Sequence, residues 1–145
     1  MRIFIDVDDT LVLWPSLSAG DYPLKLNAMP RPNAALVEAL QRMCGAVEII
    51  VWTTTNARYP DVEERTNTYA HTWAEKFLSA YGVNYRCAID KHFALLQDGD
   101  IAVDDTPIIG YLGKWMTANE FICFAEDWRR EWDASHAHAT HGGGH

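Results

Sequence analysis

Three carboxylates and a hydroxyl, Asp6, Asp8, Asp9 and Thr10, stand directly after the apolar run Ile3-Phe4-Ile5. β-Branched and aromatic residues of that kind fill a strand buried on both faces. Alternate side chains of a strand share a face, so Asp6 and Asp8 are expected to project to one side. Carboxylates held that close repel each other unless a cation or a shared proton lies between them. The pattern points to a metal site, a proton-transfer site, or both. The plainer alternative is an acidic loop that only solvates a strand end.

Three more apolar runs end in groups of matching chemistry. Val47 to Trp52 delivers Thr53, then Thr54, Thr55 and Asn56. Hydroxyls, an amide and backbone N–H groups at the start of a helix suit a phosphate oxygen. Tyr85 to Ile89 is followed by Asp90 and Lys91, which brings one ammonium to the same edge. Ile101 to Asp104 ends in the pair Asp104-Asp105. A threonine is common at caps and a lone lysine is usually solvated, so neither decides anything alone. Two acidic strand ends are harder to explain, and a shared divalent cation resolves their repulsion. Gly113-Lys114 is not a phosphate-binding P-loop, because Trp115 follows where Ser or Thr is required.

The elements that must position these groups alternate. A fifth strand is expected at Glu120 to Phe124. Helical spacing runs from Ala34 to Cys44, after Pro32 and before Gly45, and again from Asp61 to Tyr81 before Gly82. The expected fold is therefore α/β, a Rossmann-like three-layer sandwich on a mostly parallel five-stranded sheet. Ligands of such sheets bind beyond the carboxyl ends of the strands, where the acidic run falls.

The chain has 145 residues, 48% hydrophobic and 22% charged, which suits one domain with a real core. Residues 1 to 133 are read as that domain. Residues 134 to 145, with His136, His138, His141 and His145, are read as a His/Gly-rich mobile tail with incidental metal affinity. A net charge of −8 makes a long nucleic acid a poor partner. Cys44, Cys87 and Cys123 lie in or beside apolar stretches with no C-x-x-C, as buried thiols of a reducing compartment would. Neither a membrane span nor a secretory leader is legible, so the expected location is the cytoplasm.

The ordered set Asp6-x-Asp8-x-Thr10, Thr53, Lys91 and Asp104-Asp105, each after an apolar strand, resembles the haloacid dehalogenase-like superfamily of hydrolases. The resemblance spans roughly residues 1 to 125, and FIDVDDTLV is its most specific part. It implies a phosphatase that hydrolyses phosphomonoesters, nucleotides and nucleic-acid ends among them, through a phospho-aspartyl intermediate. Asp6 would be the nucleophile and Asp8 the general acid and base. Thr53, Thr54 and Lys91 would bind the phosphoryl group. Mg2+ would be held by Asp6, the Asp8 carbonyl and Asp104, with Asp105 assisting through water. The dehalogenases themselves lack the second Asp, so Asp8 favours phosphate over halide substrates. Asp9 stands where Gly is commoner and is expected to serve a turn.

Too few residues separate Thr10 from Ala34 to form a cap domain, so the chain resembles the capless members. The loop from Leu11 to Arg31 would be the only cover, with Trp14 either its apolar lid or a core residue. An open site suits a small phosphorylated substrate, a bulkier one, or completion by a partner subunit. The alternative reading is a non-catalytic phosphate- or partner-binding module that keeps the fold.

Overall fold

The computed structural model of the chain describes residues 1–14, 30–43, 45–53 and 72–143, with side chains through Ala137. In chain order come β1 (Arg2–Asp6), β2 (Val12–Leu13), β3 (Arg31–Pro32), α1 (Ala34–Met43) and β4 (Glu48–Thr53). A helix over 72–80, here α2, precedes β5 (Cys87–Asp90) and a short 3-10 turn at Phe93–Leu95. β6 (Ile101–Val103), β7 (Lys114–Met116) and α3 (Ala118–Gly143) complete the described chain.

Five strands make one sheet in the order β5-β4-β1-β6-β7, and every neighbouring pair is parallel. The chain winds outward from β1 through β4 to β5, then returns to the other side of β1 for β6 and β7. The direction of winding therefore reverses at β1, and sheets of this kind bind ligands beyond the carboxyl ends of the strands at such a reversal.

The period of two along the strands decides what each sheet face covers. Ile3, Ile5, Ile49, Val51, Ile101 and Val103 pack with Leu36, Val37, Leu40 and Met43 of α1, with Leu78 of α2, and with Phe121 and Ala125 of α3. Phe4, Ile50, Trp52 and Ala102 point the other way and pack with Leu96, flanked by Phe93 and Ile108. The rings of Phe4 and Trp52 lie 4.5 Å apart on that face. The 3-10 turn and the β6–β7 crossover thus supply the third layer among the described residues. Fully burying one Leu or Phe contributes about 1.5–3 kcal/mol, so this two-sided core holds the strand ends in register.

Local signals set the element ends. Asn33 opens α1, accepting the Leu36 N–H at its Oδ1 (3.4 Å) while its own amide donates to the Thr10 carbonyl (3.0 Å). The helix stops before Gly45, whose φ of 87° is left-handed, and Gly82 with φ 68° does the same after α2. Residues 61–71 of the helix expected to start at Asp61 lie outside the described residues, as does Cys44.

One strand expectation is overturned. Glu120 to Phe124 is not a strand but the first turns of α3, and the fifth strand is Lys114–Met116. The helix wins because Thr117 and Glu120 form a reciprocal cap: Thr117 N–H donates to Glu120 Oε1 (3.1 Å) and Glu120 N–H to Thr117 Oγ1 (3.2 Å). Phe121 and Ala125, four apart, then face the core. The expected burial of the thiols is also corrected: the helical period of α3 leaves Cys123 exposed, and Cys87, at the start of the edge strand β5, is half-buried. No helix among the described residues is long and apolar enough to cross a membrane.

Candidate active site

Strand endings create the site. β1 ends at Asp6, and residues 7–11 fold back as a tight turn in which Thr10 and Val12 N–H donate to the Val7 carbonyl (3.3 and 2.9 Å). Asp8 therefore sits in a turn and not in a strand, so simple alternation stops at Asp6. Asp9 adopts φ 63°, the left-handed region. Glycine enters that region without steric cost and Asp tolerates it better than most residues. β2 and β3 then pair antiparallel, Val12 with Pro32 and Leu13 with Arg31.

Asp6 is buried, and its two oxygens have different partners. Oδ2 accepts the Thr10 hydroxyl at 2.8 Å, and Oδ1 lies 2.7 Å from Lys91 Nζ. The same ammonium is 2.6 Å from Asp104 Oδ2. Lys91 follows β5, and its backbone N–H donates to the Thr53 carbonyl at 2.8 Å, which fixes its height on the sheet. Asp104 follows β6. Its Oδ1 accepts the Thr106 N–H (3.0 Å), and its carbonyl accepts the Trp115 indole N–H (3.1 Å). Asp6, Asp104 and Asp105 each offer a carboxylate oxygen within 4.8 Å of the others.

The electrostatics follow from one ammonium facing two buried carboxylates, Asp6 and Asp104. Burial pushes the Asp6 carboxyl up to about 8, with Asp104 adding to the rise against the pull of Lys91 and Thr10. Burial likewise raises Asp104, opposed by Lys91 and the Thr106 N–H. Burial alone would lower the Lys91 ammonium, but Asp6 and Asp104 outweigh it and hold it above its ordinary value. This donor set is all oxygen and short of positive charge, which is what a hard divalent cation such as Mg2+ requires. A cation on the same oxygens favours their charged forms.

Of the residues read from the sequence, Asp6, Lys91, Asp104 and Asp105 come together. Thr53 is buried at the same edge, one position beyond the Trp52 that pairs with Asp6. Thr54 lies outside the described residues. Asp8 is half-buried near the rim, and its carboxylate is not among the three close ones. Three residues were given no site role from sequence: Thr10, Asn33 and Trp115. The T of the opening motif was a signal for the first; nothing local marks the other two. Trp14 is 9% exposed and belongs to the main core cluster, so it is a core residue and not a lid over solvent. Its indole N–H donates to Asp8 Oδ1 at 2.7 Å.

No family model matches the chain, and no curated protein is similar to it in sequence. Among solved structures it is similar to D,D-heptose 1,7-bisphosphate phosphatase from Burkholderia thailandensis, at 12% identity and a TM-score of 0.56. The match covers 88% of this chain and 97% of that one. At this identity the likeness is one of fold. It agrees with the expected α/β fold on a mostly parallel five-stranded sheet.

Proposed function

We propose that this chain is a Mg2+-dependent phosphatase that hydrolyses phosphomonoesters through a phospho-aspartyl intermediate on Asp6. The observation that carries this reading is the convergence of Asp6, Lys91, Asp104 and Asp105 at the carboxyl edge of β1, β5 and β6. Three strand ends must cooperate to build it, and a solvated acidic loop needs none of that.

In the first displacement a carboxylate oxygen of Asp6 bonds to phosphorus as the bond from phosphorus to the leaving oxygen breaks. Asp8 gives its proton to that oxygen. In the second, Asp8 takes a proton from water, the water oxygen bonds to phosphorus, and the bond to Asp6 breaks to release inorganic phosphate. Thr53, Thr54 and Lys91 stabilise the charge spread over the transferring group. Asp6, the Asp8 carbonyl, Asp104 and Asp105 would hold Mg2+, which supplies positive charge against the phosphate and keeps Asp6 ionised.

The substrate class is a small phosphorylated molecule, with nucleotides and nucleic-acid ends included. The −8 charge disfavours long nucleic acid, and a partner subunit would complete the open site. The free thiols of Cys87 and Cys123 fit a reducing compartment, the cytoplasm. The test is release of phosphate from nucleotides, sugar phosphates and 3′-phosphorylated oligonucleotides, with and without Mg2+. Mg2+-dependent release supports the reading. Phosphate binding with no release from any substrate would favour a non-catalytic module.

A further inference from the structure

We infer that Trp14 is a positioning residue that orients the Asp8 carboxyl for proton transfer. The inference rests on the phosphatase reading and extends it to a residue outside the opening acidic motif. Its basis is one bond: Trp14 Nε1 donates to Asp8 Oδ1 at 2.7 Å.

The surroundings explain why this bond can act as a fixed restraint. Asp8 sits in the turn beyond β1, where a carboxyl has rotational freedom about two side-chain bonds. Trp14 follows the short β2 and belongs to the buried core cluster that also contains Val7, Leu11, Val12 and Leu36. β2 is itself held by pairing with β3, and the Asn33 N–H donates to the Leu11 carbonyl at 2.9 Å. The indole N–H is therefore a donor with almost no freedom of its own. A carboxyl bonded to it is fixed in plane and direction.

The bond is made to Asp8 Oδ1, so Trp14 sets the direction in which the Asp8 carboxyl faces. A buried indole N–H usually finds a partner, so the test must separate satisfying the indole from orienting the acid; phenylalanine keeps an aromatic ring there and removes the donor. Positioning of an acid is realised in the transition state, so its loss should appear in kcat and not in KM.

The test uses the full chain and the variant Trp14→Phe, which keeps the aromatic packing and removes the donor. Two substrates are compared in Mg2+: an alkyl phosphomonoester, whose leaving oxygen needs a proton, and 4-nitrophenyl phosphate, whose leaving group departs as an anion. We expect kcat on the alkyl ester to fall about tenfold or more, a fraction of what general acid catalysis supplies. On 4-nitrophenyl phosphate kcat should change less than about threefold by the same reasoning, with KM unchanged on both. Equal losses on the two substrates would overturn the inference, because a purely structural role affects both alike. A second measurement does not depend on turnover. The indole N–H resonance that disappears in Trp14→Phe should move in Asp8→Asn; an unmoved resonance would show that the bond is absent and overturn the inference. No release from either substrate by the wild type, with the resonance shift present, would overturn the phosphatase reading and leave the bond standing.

Discussion

Lys91 Nζ lies 2.7 Å from Asp6 Oδ1, and this contact joins the ends of two strands that are not neighbours in the sheet. β4 lies between them, and the ammonium spans it to reach β1 and, beyond that, Asp104 at the end of β6. With 9% of its side chain exposed, Lys91 is the positive charge that makes two buried carboxylates tolerable.

Removing that charge should be costly. Lys91→Met leaves Asp6 and Asp104 facing each other, and breaking a buried pair from one side costs about 3–5 kcal/mol. Asp104→Asn in the same chain should recover part of that loss. Denaturant unfolding of the two single variants and the double variant checks this. A loss under about 1 kcal/mol for Lys91→Met would mean that the site is wet and weakly coupled.

Mg2+ should stabilise the chain, and Asp104 should be required for it. A ligand that binds only the native state contributes about 2.7 kcal/mol at a hundredfold excess over its Kd. The comparison is the melting temperature of wild type and Asp104→Asn in millimolar Mg2+. Both carry the same histidines, so any effect of the C-terminal segment cancels. A Mg2+ shift of the same size in both would place the ion elsewhere.

The left-handed Asp9 gives a prediction of opposite sign for two substitutions. Asp9→Gly should be tolerated, because glycine adopts φ 63° without a steric penalty. Asp9→Val should lose about 1–2 kcal/mol, because a β-branched residue is strained there. Equal stability of the two variants would show that the turn relaxes out of that conformation.

At the far end of the sheet Arg2 and Asp100 form an ion pair, and Asp100 Oδ2 also accepts the Gln97 N–H at 2.7 Å. Burial pushes the Asp100 carboxyl up, but its bonds to Arg2 and Gln97 outweigh that and hold it below its ordinary value. A lowered folded-state value stabilises above the unfolded value of about 3.9 and is lost as pH falls through the folded one. Arg2→Met should therefore cost about 1.5–3 kcal/mol at pH 7, as for other hydrogen bonds to charged groups. Its deficit against wild type should shrink steadily below about pH 4, where protonation removes the pair in both chains. A deficit independent of pH would mean that Arg2 contributes packing alone.

The candidate site was legible because carboxylates that interrupt buried apolar runs are expensive and therefore conspicuous. Asp6, Asp104 and Asp105 announce themselves in this way, and Lys91 and Thr53 gain meaning only from their place after strands. β7 was not legible: Lys114–Met116 is three residues long and carries no alternation to read. The apolar cluster Phe121 to Phe124 drew the strand reading, although Thr117-x-x-Glu120 ahead of it is a helix-start signal. The Trp14–Asp8 bond depends on how a turn closes, and no residue spacing encodes that. Asn33 capping α1 while binding the Thr10 carbonyl is equally a product of tertiary approach.

The central claim is that Asp6 carries the phosphoryl group, and a single turnover in oxygen-18 water tests it most directly. An excess of the chain, with Mg2+, is given a phosphomonoester accepted in the screen, and both products are analysed by mass spectrometry. Hydrolysis of a phospho-aspartyl intermediate by water attacking phosphorus delivers the label to phosphate and leaves Asp6 unlabelled. Quenching before the second displacement should show phosphate covalently attached to the peptide containing Asp6, and Asp6→Asn should show neither attachment nor turnover. Labelled phosphate with no covalent species at any time, or turnover retained in Asp6→Asn, would contradict the account.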